Sequence, residues 1–258
     1  MDNFFLTRYF DWPVRRSSHM DRALNLLTKN VGVRSDTAGL VDRLIFSVSG
    51  RRFAPSRSGI STNVEQRMNM YHLVSQTLAY DVAGDLVEVG CNEGQSSVLI
   101  ATILRDFGSE KKLHVYDSFE GLPAADDVDG VTYQKGDLAT TEGALIKNFR
   151  SYGLPLPTIH KGWFNETLPT GLPDRISFAH LDGDFYDSIK VSLENVYPRL
   201  SRGAVCLIDD YCDPEVNPEG WNYLPGVKGA CDEFLSDKPE TMCYLYSGAF
   251  THAFFRKS

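Results

Sequence analysis

Gly84-Asp85-Leu86-Val87-Glu88-Val89-Gly90-Cys91-Asn92-Glu93-Gly94 reads as a short apolar strand, Leu86 to Val89, that gives way through a glycine-bounded turn to a helix over Ser96 to Phe107. Gly90 lets the backbone bend close to a ligand, and Gly94 allows close approach at the helix start. Ordinary strand-to-helix turns also use glycine, so this stretch alone leaves a nucleotide-like ligand and a plain turn both open. Its spacing, E-x-G-x-x-x-G, lacks the tight G-x-G-x-x-G that grips a pyrophosphate. A ligand with a ribose, no phosphate and an amino-acid end fits it better than a dinucleotide.

Downstream the same alternation repeats. Leu113 to Tyr116 predicts a second strand, Thr141 to Tyr152 a helix, Thr158 to Lys161 a third strand and Ile176 to Leu181 a fourth. Ser188 to Tyr197 then reads as a helix and Ala204 to Ile208 as a fifth strand. Met242 to Tyr246 and His252 to Arg256 form a strand pair around Ser247-Gly248. The fold class expected is α/β: a Rossmann-like, doubly wound, mainly parallel seven-stranded sheet with an antiparallel C-terminal edge and an N-terminal helical extension.

Upstream, Thr62 is expected to open a helix with Glu65 as the far member of a capping box, and Met68, Tyr71, Leu73, Val74 and Leu78 as its apolar stripe. Residues 1–61, rich in aromatics from Asn3 to Trp12, read as a helical extension covering part of a main domain over 62–258. Arg15, Arg16, Arg22, Arg34, Arg43, Arg51, Arg52 and Arg57 crowd this first quarter. A solvated face, an anionic ligand, a dimer contact with the acidic body and a positively charged lid all remain open for them.

Asp117 follows the second strand, where a carboxylate can accept both hydroxyl hydrogens of a ribose; a solvated strand-end aspartate is the plainer account. More specific is His180-Leu181-Asp182-Gly183-Asp184 with Leu207-Ile208-Asp209-Asp210-Tyr211. Each group ends an apolar strand, so neighbouring strands would let Asp182, Asp209 and Asp210 converge. Converging carboxylates repel one another unless a cation or bound protons compensate, and an oxygen-only set suits Mg²⁺. Helix capping and simple solvation are the competing accounts. Such a cation would help an alcohol lose its proton, with Asp184 as acceptor and His180 or His160 as alternative bases.

Composition narrows the rest. The chain has 258 residues, a formal net charge of −8 and 42% hydrophobic residues, so one large α/β domain with additions is expected and a nucleic-acid backbone is an unfavourable partner. Its five cysteines lack metal-ligand spacing and suit a reducing compartment, the cytoplasm. With neither a signal peptide nor an apolar run of membrane-spanning length in the sequence, membrane insertion is not expected.

Taken together, GDLVEVG at 84–90, YDSFEGLP at 116–123, KGWFNETLP at 161–169, HLDGDFYDS at 180–188 and IDDY at 208–211 resemble the macrocin O-methyltransferase family of antibiotic biosynthesis, which includes mycinamicin and novobiocin sugar methyltransferases. The resemblance runs from about Thr62 to the C-terminus. It implies an S-adenosylmethionine- and Mg²⁺-dependent O-methyltransferase acting on a deoxysugar hydroxyl of a glycosylated small molecule. Carried over residue by residue, it places the metal on Asp182, Asp209 and Asp210 and the general base on Asp184. It places S-adenosylmethionine against Glu88, Gly90, Ser96, Asp117, Ser118 and Asp182, with Gly162, Trp163 and Phe164 near the adenine. A mobile N-terminal lid and a homo-oligomer, most often a dimer, are also implied. Asn92-Glu93-Gly94-Gln95 departs from the family's basic residue followed by two glycines, which alters contacts to the cofactor's carboxylate. The stretch Cys212 to Gly229, with Trp221 and Tyr223, reads as an insertion-like, substrate-facing loop. A catechol or other phenolic methyltransferase, and a non-catalytic ligand-binding protein, are the competing functions.

Overall fold

The computed structural model describes residues 62–218, 220–248 and 250–258. The extension and lid expected over 1–61, together with the arginine-rich quarter, lie outside the described residues. In chain order the elements are α1 (Val64–Ala79), β1 (Asp85–Val89), α2 (Gln95–Asp106), β2 (Leu113–Asp117), α3 (Glu142–Ser151), β3 (Thr158–Lys161) and α4 (Phe164–Gly171). They continue with β4 (Ile176–Leu181), α5 (Tyr186–Val196), β5 (Leu200–Asp209), α6 (Pro225–Leu235), β6 (Cys243–Leu245) and β7 (His252–Arg256).

The strands form one seven-stranded sheet in the order β3-β2-β1-β4-β5-β7-β6. β1 to β5 pair in parallel, whereas β7 runs antiparallel to both β5 and β6. This is the Rossmann-like sheet with an antiparallel edge that the strand and helix alternation predicts. β4 is buried at every position and β1 at all but its first, as befits parallel strands covered on both faces.

Side-chain alternation assigns the faces. Val87, Val89, Ala179, Leu181, Cys206 and Ile208 join Leu168 of α4, Ile189 and Leu193 of α5 and Val227 of α6 in one apolar core. The intervening residues, Glu88, His180, Leu207 and Asp209, point to the opposite side, where α1 packs on α2 and on β5. Fully burying each large aliphatic side chain contributes roughly 1.5–3 kcal/mol, so this two-faced core is what fixes the strand ends in register.

Four local expectations are corrected. The capping box of α1 is Asn63 with Gln66, one residue later than Thr62 with Glu65: Asn63 Oδ1 accepts from Gln66 N at 2.8 Å and Gln66 Oε1 accepts from Asn63 N at 3.0 Å. The buried stripe of α1 accordingly runs through Gln66, Arg67, Met70, Leu73, Val74 and Thr77, and Met68 faces solvent at 51% exposure. The segment after Trp163 is the short helix α4, which Pro169 and Gly171 disguise. Finally, the insertion-like stretch stops at Leu224, because Pro225 opens α6 at a position where its missing N–H costs nothing. The glycines that obscure α6 allow close packing: a Cβ at Gly226 would lie 2.1 Å from Asp129 Oδ1.

Candidate active site

The C-terminal ends of β1, β2, β4 and β5 converge at one rim, where ligands bind in open α/β sheets. Gly90 is what lets β1 and β4 meet there. Its φ is +90°, and a Cβ would fall 1.8 Å from the Asp182 carbonyl oxygen. Gly90 N donates to the Tyr116 carbonyl at 2.9 Å and Asp182 N donates to the Val89 carbonyl at 2.8 Å, which ties three strand ends together.

The turn after β1 is braced on Asp117. Asp117 Oδ2 accepts from Asn92 N at 2.8 Å and Oδ1 from Phe119 N at 2.7 Å. Burial nevertheless raises the Asp117 pKa above the ordinary range, the two backbone donors opposing it. Gly162 N donates to the Asp117 carbonyl at 3.0 Å, so the Gly162-Trp163-Phe164 segment adjoins the β2 end. Ser96 lies in the first turn of α2, and Ser118 is engaged in its own turn, donating to Gly121 O at 3.2 Å and accepting from Glu120 N at 3.0 Å. Gly94 caps α2 in the left-handed conformation at φ +80°.

Glu88 stands apart from these. It is fully buried, accepting from Ser97 Oγ and pairing with His180 Nδ1 at 2.9 Å, so it lies behind the crevice and does not line it. His180 is buried likewise, and burial lowers its pKa less than Glu88 and Asp209 raise it. His160, the other alternative base, stacks on Tyr116 at 4.3 Å between ring centroids and meets His114 at 3.2 Å, away from the acidic group.

The acidic residues divide. Asp182, Asp184 and Asp210 each offer a carboxylate oxygen within 4.8 Å of the others. Burial, then the neighbouring negative charges, raises the pKa of Asp182 and Asp210 well above the carboxylate range and pushes Asp184 up to about 7. Asp184 and Asp210 also hold left-handed backbones, at φ 61° and 58°, which a side chain beyond glycine adopts at a cost. Asp209 faces the other way, with Oδ1 3.1 Å from His252 Nε2 and 2.9 Å from Gln66 Nε2. Burial pushes its pKa up, but His252 and His180 draw it below the ordinary value. Asp182, Asp184 and Asp210 fit a hard divalent cation, since they are an oxygen-only set that ionises together only with compensating positive charge.

Sequence reading missed three contributors. Asp129 is buried and accepts from Tyr186 N at 2.6 Å, capping α5 from a distant loop. Gln66 and His252 hold Asp209. Asp129 and His252 belong to no local motif, and the only local signal for Gln66 is its place in the α1 capping box. Trp221, expected in a substrate-facing loop, packs with Tyr133, Tyr223 and Phe250 at 6.5, 5.3 and 6.2 Å between ring centroids, and Tyr223 is 58% exposed.

Among known proteins, the family model of macrocin-O-methyltransferase (TylF) matches residues 48–221. The 8-demethyl-8-(2,3-dimethoxy-alpha-L-rhamnosyl)-tetracenomycin-C 4'-O-methyltransferase of Streptomyces olivaceus is 36% identical over 167 residues, 61% of this chain and 64% of that relative, so the chain spans just under two thirds of its length. The mycinamicin III 3''-O-methyltransferase of Micromonospora griseorubida is 31% identical over 192 residues, 69% of this chain and 76% of that protein. The solved structure of the O-methyltransferase NovP superposes with a TM-score of 0.65 at 28% identity, covering 76% of this chain and 81% of that one.

Proposed function

The chain belongs to the macrocin-O-methyltransferase family, and from that premise we propose that it moves the methyl group of S-adenosylmethionine to a deoxysugar hydroxyl of a glycosylated natural product, giving a methyl ether and S-adenosylhomocysteine. The observation that carries the reading is the group of three half-buried carboxylates, Asp182, Asp184 and Asp210, at the same rim as Asp117. The names of the relatives support the acceptor class, one naming a rhamnosyl substrate and the other a doubly primed position.

In this reading Asp117, fixed by two backbone donors, accepts from the ribose hydroxyls. Gly90 keeps the floor of the crevice free of side-chain bulk, and Gly162, Trp163 and Phe164 border the adenine. Asp182, Asp209 and Asp210 would hold Mg²⁺, Asp209 through Oδ2, the oxygen that His252 and Gln66 do not engage. When bound, a divalent cation there eases loss of the acceptor's hydroxyl proton by stabilising the developing negative charge. Asp184 takes that proton, a task suited to a carboxylate whose pKa is pushed up to about 7. Trp221, Tyr223 and Tyr133 present apolar area to the acceptor's scaffold and exclude water. A reducing cytoplasm and a homodimer complete the picture and await fractionation and measurement of mass in solution.

The test is incubation with S-adenosylmethionine and Mg²⁺ against paired glycosylated and aglycone acceptors, followed by mass spectrometry with fragmentation. The reading expects a gain of one methyl on the sugar fragment. Gain confined to a phenolic aglycone contradicts it.

A further inference from the structure

Gln66 lies on α1, well over a hundred residues from the acidic segments, yet it is 2% exposed and reaches Asp209. Both ends of its amide are committed. Oε1 accepts from Asn63 N at 3.0 Å, which fixes the orientation of the group, and Nε2 donates to Asp209 Oδ1 at 2.9 Å. The anchor is itself held: Asn63 Nδ2 donates to the Ser247 carbonyl at 2.5 Å, and Asn69 Nδ2 donates to Tyr246 O and Ser247 Oγ, both at 3.0 Å.

The two oxygens of Asp209 are treated unequally. Oδ1 also meets His252 Nε2 at 3.1 Å and accepts from Asp210 N at 3.1 Å, so three donors or partners crowd one oxygen. Oδ2 has only His180 Nε2, at 3.9 Å, which is beyond hydrogen-bond reach. A carboxylate pinned through one oxygen presents the other in a fixed direction, which is how outer partners of metal ligands act.

We infer that Gln66 is a positioning residue for Asp209, pinning Oδ1 so that Oδ2 is available to the cation of the acidic rim. This rests on the reading of Asp182, Asp209 and Asp210 as Mg²⁺ ligands. It makes the first turn of α1 part of the site through one side chain.

Substitution separates this role from helix capping. Gln66→Glu keeps an oxygen for the capping box but removes the amide donor. Gln66→Met removes both with little change of volume. Asn63→Ala weakens the cap while leaving the backbone N–H that orients Gln66. Titration calorimetry of Mg²⁺ into the full chain, with S-adenosylmethionine binding measured alongside, is the readout. Both Gln66 variants are expected to bind Mg²⁺ about 10–100-fold more weakly, as loss of such outer partners does, and to bind S-adenosylmethionine as the wild type does. Asn63→Ala is expected to stay within about threefold of wild-type Mg²⁺ affinity, well short of that outer-partner loss. Wild-type Mg²⁺ affinity in Gln66→Met, or an equal loss in Asn63→Ala, overturns the inference alone. A wild type that binds no Mg²⁺ overturns the metal reading beneath it.

Discussion

Two groups of carboxylates, one buried and one half-buried, stand next to one another at the ends of β1, β4 and β5. Glu88 and Asp209 point toward α1 and are met by His180, His252, Ser97 and Gln66. Asp182, Asp184 and Asp210 sit at the rim, and among the described residues no ion pair or hydrogen bond is seen to their side-chain oxygens. The pKa of Asp209 is drawn down, whereas those of the rim residues are driven up. Burying a carboxylate costs several kcal/mol unless partners compensate; among the described residues the first group has such partners and the second does not.

The comparison breaks if substitutions in the two groups have the same consequences. The largest expected effect is at the rim. Asp182→Asn and Asp210→Asn should lower turnover by on the order of 10³-fold or more, since they remove charge that holds and orients the reacting centre. Neither should lower thermal stability, because each relieves like-charge repulsion; scanning calorimetry checks this, and a fall in Tm with unchanged turnover would exchange the roles of the two groups. Next, Asp184→Asn should retain S-adenosylmethionine binding and lose about 10²–10⁴-fold in turnover, the range of a lost general base.

The first group should respond in the opposite sense. Glu88→Gln leaves His180 without its charged partner in a fully buried position, and a cost of about 3–5 kcal/mol in denaturant unfolding is expected. S-adenosylmethionine affinity in the folded fraction should change little.

A smaller effect sharpens the contrast away from the rim. Glu240 is buried, accepts from Tyr197 Oη, Lys257 Nζ and Ser258, and has its pKa lowered to about 2. A depressed carboxylate pKa contributes stability that is complete above the unfolded value near 4.5 and fades as pH falls toward about 2. Glu240→Gln should therefore flatten the acid limb of a stability-versus-pH curve over that window. An unchanged limb would remove Glu240 from the compensated class.

The sheet class and most element positions were legible because apolar runs bounded by glycine and proline are local signals. Asp182, Asp184, Asp209 and Asp210 were legible as a set because each follows an apolar strand, and neighbouring strands put them at one rim. What escaped was direction. Parity along Val205, Leu207 and Asp209 turns Asp209 toward α1, away from Ala204, Cys206 and Ile208, but its partners Gln66 and His252 come from the far ends of the domain. The burial of Glu88 escaped likewise, since only the position of β1 between β2 and β4 closes it off. Helices α4 and α6 escaped because Pro169, Gly171, Gly226 and Gly229 lower helix propensity, and tertiary packing overrides it.

The central claim is that the uncompensated rim works with a divalent cation. Its most direct test is the rate of methyl transfer to a glycosylated acceptor, followed by mass spectrometry, before and after exhaustive chelation. The account predicts that transfer is lost on chelation and returns with added Mg²⁺. Transfer at an undiminished rate by the chelated protein would contradict it.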